Sequence, residues 1–100
     1  MAKKTIIINN EKGIHATLAS LIVTIASKYK SHITLKKTDS FIVANAKSIV
    51  FILSLGIGKG DYVEIEAFGD DETEAINELS IEITKYQEVW INKWIFLALM

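Results

Sequence analysis

In the stretch 62–67, Val63, Ile65 and Ala67 alternate with Glu64 and Glu66, so an extended chain there is apolar on one face and charged on the other. Successive side chains of a strand point to opposite faces. Such a segment belongs in a sheet with one side buried and the other in water. Residues 32–36 repeat the pattern, with Ile33 and Leu35 on the apolar side and Thr34 opposite. Residues 5–9 are short and β-branched and stop at the turn formers that follow, which predicts a first strand. Residues 37–40 form a polar turn cluster, and 41–44 are expected to be the hairpin partner of the second strand.

Helical spacing fills the gaps. Leu18, Leu21, Ile22, Ile25 and Tyr29 recur at three and four residues, which predicts a helix over 16–29 with one buried face. Ser48 has the side chain of an N-cap, and Ile49, Val50, Ile52 and Leu53 would form the apolar part of a short helix after it. Asp71 and Glu74 have the spacing of a capping box, opening a helix whose stripe is Ala75, Ile76, Leu79, Ile83 and Tyr86. The order βαββαβα defines an α+β domain in which three helices cover one face of four strands. Order alone permits either an open-faced sandwich or a ferredoxin-like arrangement.

At 100 residues the chain suffices for one domain with a modest core. Its net charge of -1 offers no basic surface for nucleic acid. Cysteine is absent, which excludes disulfides, thiolate catalysis and cysteine-ligated zinc and fits a cytoplasmic protein. The apolar run 5–8 is too short for the core of a signal peptide, so no export signal is expected. Gly56, Gly58 and Gly60 resemble a nucleotide loop, but a strand follows them, not a helix that could receive phosphates. His32 has no second ligand at useful spacing, and the carboxylates form no convergent pair. No metal or cofactor is expected.

His15, in Gly13-Ile14-His15-Ala16-Thr17-Leu18-Ala19-Ser20, stands just before the first turn of the helix over 16–29. The first N–H groups of a helix lack intrahelical partners and carry partial positive charge, so an anion near Ala16, Thr17 and Leu18 would be stabilised. An uncharged imidazole nitrogen is nucleophilic near neutral pH. That combination suits a histidine that accepts and returns a phosphoryl group; the plainer alternative is a solvated loop residue or makeshift cap.

The motif resembles the phosphohistidine motif of HPr, the small phosphocarrier of the bacterial phosphoenolpyruvate-dependent sugar phosphotransferase system. The likeness continues through Ala26-Ser27-Lys28-Tyr29, Asn45-Ala46-Lys47-Ser48-Ile49, Ser54-Leu55-Gly56-Ile57 and Lys59-Gly60, and ends near Tyr86. It implies the HPr-like open-faced β-sandwich, a four-stranded antiparallel sheet under three helices. It also implies that His15 receives a phosphoryl group from enzyme I and passes it to sugar permease components. Ser48 matches the serine that, in low-GC Gram-positive bacteria, HPr kinase phosphorylates for binding to a catabolite-control repressor.

Two positions depart from the family motif Gly-(Leu/Ile)-His-Ala-Arg-Pro-Ala. Thr17 stands where the family has a phosphate-pairing arginine, and this chain has no arginine at all. A charge-assisted hydrogen bond contributes roughly 1.5–3 kcal/mol, so its loss implies transfer weaker by about tenfold to a hundredfold. Lys12 and Lys47 are the lysines that family geometry offers as substitutes. Leu18 replaces a proline suited to a first helical turn. Phosphotransfer of reduced competence is one expectation; a regulatory paralogue acting through Ser48 is the alternative. Val50, Phe51 and Leu53, which follow the matching Ile49, are bulkier than the family's usual residues, and Phe51 replaces a common glycine; Ile49, Val50, Phe51 and Leu53 are the candidate partner surface. They form either a docking surface for partner proteins or extra core filling.

The resemblance predicts a domain over 1–88 and an apolar extension over 89–100. Twelve helical residues reach about 18 Å, short of a hydrocarbon core near 30 Å, so the extension is not a transmembrane span. Trp90, Trp94 and Leu97 continue the spacing of Leu79, Ile83 and Tyr86. Packing on this domain or a second copy is the first expectation, and an interfacial membrane contact the second.

Overall fold

The computed structural model of the chain describes residues 1–88 and 97–100. Its elements follow the expected order: β1 (Ala2–Ile7), α1 (Ala16–Ala26), β2 (His32–Lys37), β3 (Val43–Asn45), α2 (Ile49–Ser54), β4 (Tyr62–Phe68) and α3 (Glu72–Leu99). The strands form one antiparallel sheet in the order β1-β4-β2-β3. The amphipathic strand that anchors the sequence reading thus lies inside the sheet, bonded on both edges.

The register explains the one-sided burial. Lys3 and Thr34 both face Glu66, while Thr5 and Lys36 both face Glu64, which places these polar side chains on the open face. On the other face Ile33, Leu35, Val63, Ile65 and Ala67 join Leu18, Ile22, Ile52, Leu79 and Ile83 in a single apolar core. Across the open face Lys3 Nζ lies 2.6 Å from Glu64 and 3.5 Å from Glu66. The hydrogen bond from Lys3 holds the Glu64 carboxyl below its ordinary range and raises the Lys3 ammonium above its own.

That pairing corrects the start of β1. The strand runs over Ala2–Ile7 instead of 5–9, because Lys3 and Lys4 pair in register with Glu66 and Ile65 of β4. The hairpin partner is also shorter than 41–44. β3 starts at Val43, while the backbone N–H of Ile42 donates to Ser40 Oγ at 3.1 Å, and Phe41 and Ile42 are exposed.

α1 ends at Ala26, three residues before the expected Tyr29, and closes through i→i+3 bonds such as Lys28 N–H to Ile25 O at 3.1 Å. Tyr29 still packs against the core from the turn that follows. Its hydroxyl donates to Glu78, which also receives Lys28, so the end of α1 is fastened to α3. The bond to Glu78 pushes the Tyr29 phenol up to about 12.

The capping box at Asp71 does not form. Asp71 is the N-cap of α3 by position, but its carboxylate makes no cap bond. It accepts instead from the Lys30 amide at 2.8 Å, the Ser31 amide at 2.9 Å and the Ser31 hydroxyl. Glu72, not Glu74, folds back to accept from the Gly69 amide at 3.2 Å. The stripe Ala75, Ile76, Leu79 and Ile83 is buried as its spacing requires, and Tyr86 is half-buried. The expectations for Trp90 and Trp94 lie outside the described residues, and Leu97, Leu99 and Met100 are exposed. Among the described residues, no helix is long and apolar enough to cross a membrane.

Candidate functional site

His15 is delivered by a loop that is held from both sides. Gly13 has φ +61, the left-handed conformation that glycine adopts without penalty. Its amide donates to Asn10 O at 3.0 Å, and Asn10 Nδ2 donates back to Gly13 O at 2.6 Å. The next amide, of Ile14, donates to Ile57 O at 2.9 Å, which bonds this loop to the loop after α2. A side chain on Gly13 would meet Ile57 O at 2.3 Å and Gly58 Cα at 2.6 Å, so the two backbones touch here.

His15 is therefore the N-cap of α1, with extended backbone and no side-chain cap bond. The first intrahelical bond runs from Ala19 N–H to His15 O at 2.9 Å. The amides of Ala16, Thr17 and Leu18 precede it and have no acceptor within the helix. Ala16 and Thr17 are exposed, whereas the Leu18 side chain is fully buried in the core. Leucine at that position adds apolar burial from the first turn, which a proline ring would supply less of.

The imidazole is half-buried and belongs to the rim of the fold rather than its core. Its two nitrogens differ. Nε2 lies 3.5 Å from the Tyr86 hydroxyl, and the two rings are tilted by 49° with centroids 6.3 Å apart. Nδ1 is shielded from solvent and makes no hydrogen bond among the described residues. Tyr86 is the site residue that sequence reasoning missed. Its periodicity marks it as part of the α3 stripe, and nothing local links it to a residue 71 positions away.

The lysines offered in place of the arginine separate. Lys47 Nζ donates to Tyr29 O at 2.7 Å, beyond the far end of α1 from His15, so it does not compensate for Thr17. Lys12 is exposed three residues before His15 and makes no ion pair among the described residues. Lys59 pairs with Glu11 at 2.7 Å.

Ser48 is the N-cap of α2, its Oγ accepting from the Phe51 amide at a long 3.4 Å. Within α2 only Ile52 is buried; Ile49, Val50, Phe51 and Leu53 are exposed, Val50 by 69% and Phe51 by 57%. The added bulk on this helix points into solvent instead of filling the core. His32 lies at one end of the open sheet face, among Thr34, Val43, Asn45 and Phe51.

The family model described as "PTS HPr component phosphorylation site" matches residues 2–85. The chain belongs to the HPr family. It is 38% identical over 89 residues to the phosphocarrier protein HPr of Mycoplasma pneumoniae, a match that takes in 89% of this chain and all of that protein. The crystal structure of HPr-C-His from Thermoanaerobacter tengcongensis superposes with a TM-score of 0.77 at 45% identity, covering 84% of this chain and 92% of that one. Crh, the Bacillus subtilis catabolite repression HPr, superposes with a TM-score of 0.65 at 30% identity, covering 85% and 95%. The sheet order and helical cover described above are thus the HPr fold, and the ferredoxin-like alternative is set aside.

Proposed function

We propose that this HPr-family protein is a phosphocarrier that receives a phosphoryl group from enzyme I on His15 and passes it to sugar permease components, acting in the cytoplasm. The observation that carries this reading is the half-exposed imidazole at the N-cap of α1, beside a first turn whose Ala16, Thr17 and Leu18 amides lack intrahelical acceptors. Those amides would stabilise the phosphoryl oxygens. With Thr17 supplying only a hydroxyl, transfer is slower than in relatives that carry arginine. The exposed band Ile49, Val50, Phe51 and Leu53 is the docking surface in this reading, since a partner must cover the histidine during transfer. Residues 1–88 suffice for it.

The test is incubation with phosphoenolpyruvate and enzyme I. Phosphohistidine is labile in acid, so an acid-labile label on the wild type that disappears in His15→Ala is expected. No such label with a matched enzyme I defeats the reading.

A regulatory role is the second reading, favoured by the 30% identity to Crh and by Ser48 at the start of α2. Here HPr kinase phosphorylates Ser48 and the product binds a catabolite-control repressor. Failure of HPr kinase and ATP to modify Ser48 removes its basis.

A further inference from the structure

A phosphoryl group on His15 would bring roughly two negative charges to the head of α1. The first-turn amides offer only partial positive charge, and Thr17 offers only a hydroxyl. The face of α1 that carries Thr17 continues four residues on with Leu21. Leu21 is one wall of an open cleft between α1 and α3, and Glu82, Lys85 and Tyr86 are the other. The hydroxyl of the same Tyr86 lies 3.5 Å from the His15 ring, so the cleft leads up to the histidine. Lys85 therefore stands beside Leu21, one turn or about 5.4 Å of α1 from Thr17, a distance that the four-carbon stem of a lysine spans.

Little holds Lys85 where it is. Its Nζ lies 3.6 Å from Glu82 one turn earlier in α3, with both side chains partly in water. Exposed pairs of this kind contribute little and exchange readily. Other lysines are less suited. Lys59 pairs with Glu11 at 2.7 Å, and Lys47 is held by Tyr29 O. Lys12 is exposed, and among the described residues no contact aims it at this cleft.

We infer that Lys85 is the cation that serves His15 in place of the arginine this chain lacks: its ammonium leaves Glu82 and pairs with the phosphoryl oxygens across the cleft above Leu21. The inference rests on the phosphocarrier reading above. The transfer forms a nitrogen–phosphorus bond on the ring, which keeps the proton on its other nitrogen. The bond from phosphorus to the donor's leaving atom breaks, and its electron pair stays with the donor. Lys85 remains protonated and forms no covalent bond. As a point charge it replaces a planar guanidinium only in part.

The test compares Lys85→Gln, Glu82→Gln and Lys12→Gln in the full chain, labelled by phosphoramidate, which needs no protein partner, and by enzyme I. The first two variants break the same ion pair but change the charge of the cleft in opposite directions. With either donor, initial labelling should fall about fivefold in Lys85→Gln, rise about twofold in Glu82→Gln and stay within about twofold of wild type in Lys12→Gln. Lys85→Arg should match or exceed the wild-type rate. Matching unfolding midpoints verify that the fold is intact. Equal rates in Lys85→Gln and wild type, or an equal fall in the Lys85 and Glu82 variants, would overturn the inference and leave the carrier reading standing. A loss confined to Lys12→Gln, or a Lys85 effect seen with enzyme I alone, would do the same. No labelling of the wild type by either donor would sink the carrier reading and this inference with it.

Discussion

Replacing Gly13 by alanine should destabilise the protein by about 1.5–3.5 kcal/mol, and the same replacement at Gly56 by about 1–2 kcal/mol. The two glycines have nearly the same backbone conformation, φ +61 and φ +62, so both variants incur the left-handed cost of about 1–2 kcal/mol. They differ in what the new methyl meets. At Gly56 nothing lies within 4 Å, whereas at Gly13 the methyl would stand 2.3 Å from Ile57 O and 2.6 Å from Gly58 Cα. Both obstacles are backbone and neither can rotate away, so the two loops must part. The Ile14 to Ile57 hydrogen bond, 2.9 Å long, is lost with that movement, at a cost of about 0.5–1.5 kcal/mol. Against a total stability of about 5–15 kcal/mol this is a large effect. Urea titration of both variants, analysed with a shared slope of about 1–3 kcal/mol per molar, should separate their midpoints by roughly 0.2–1.5 M. His15 labelling should fall in the Gly13 variant and persist in the Gly56 variant. Coincident stabilities, within about 0.5 kcal/mol, would refute the claim that the histidine loop rests on backbone contact at Ile57.

Thr17→Arg should restore the charged partner and raise the rate of His15 labelling by enzyme I about tenfold or more, measured as initial velocity. Phe51→Ser should leave stability within about 0.5 kcal/mol because the ring is 57% exposed, yet weaken enzyme I binding at least fivefold, read by titration calorimetry. The Ser31 hydroxyl, with the Lys30 and Ser31 amides, holds the Asp71 carboxyl below its ordinary 3.8. The stability this contributes is present above 3.8 and lost as pH falls through the lower folded value, so the advantage of wild type over Asp71→Asn in urea should shrink on acidification. Absorbance titration should find one of the three tyrosines ionising at about 12, and Tyr29→Phe should remove that step.

Local patterns in the chain were enough where the neighbour that decides a residue's state lies close by or is simply the core. The alternation of Val63, Ile65 and Ala67 with Glu64 and Glu66 forces a half-buried strand whatever pairs with it, and β4 is that strand. The stripe of α3 is legible for the same reason. What escaped depends on distant partners. Lys3 does not resemble a strand residue until Glu64 and Glu66 stand opposite it. Asp71 has ideal capping spacing, but three donors from Lys30 and Ser31 outcompete the two amides a cap would satisfy. His15 could be placed at a helix start from the motif alone. Its contact with Tyr86 could not, because only the approach of α3 to the head of α1 creates it. Phe41 misled by composition: aromatic and β-branched neighbours suggest a strand, yet Ser40 takes the Ile42 amide before the ladder begins.

Gln87 carries a consequence for where the chain can be cut. β1 borders the sheet, and past its last ladder pair the side-chain amide of Gln87 receives the Asn9 N–H and donates to Ile7 O at 3.2 Å. One buried carboxamide thus imitates a missing neighbouring strand for two residues and seals the margin from which the His15 loop departs. A chain stopped at residue 85, where the family match ends, would lose this seal. The smallest unit that keeps its first strand hemmed therefore reaches beyond residue 85, through residue 87.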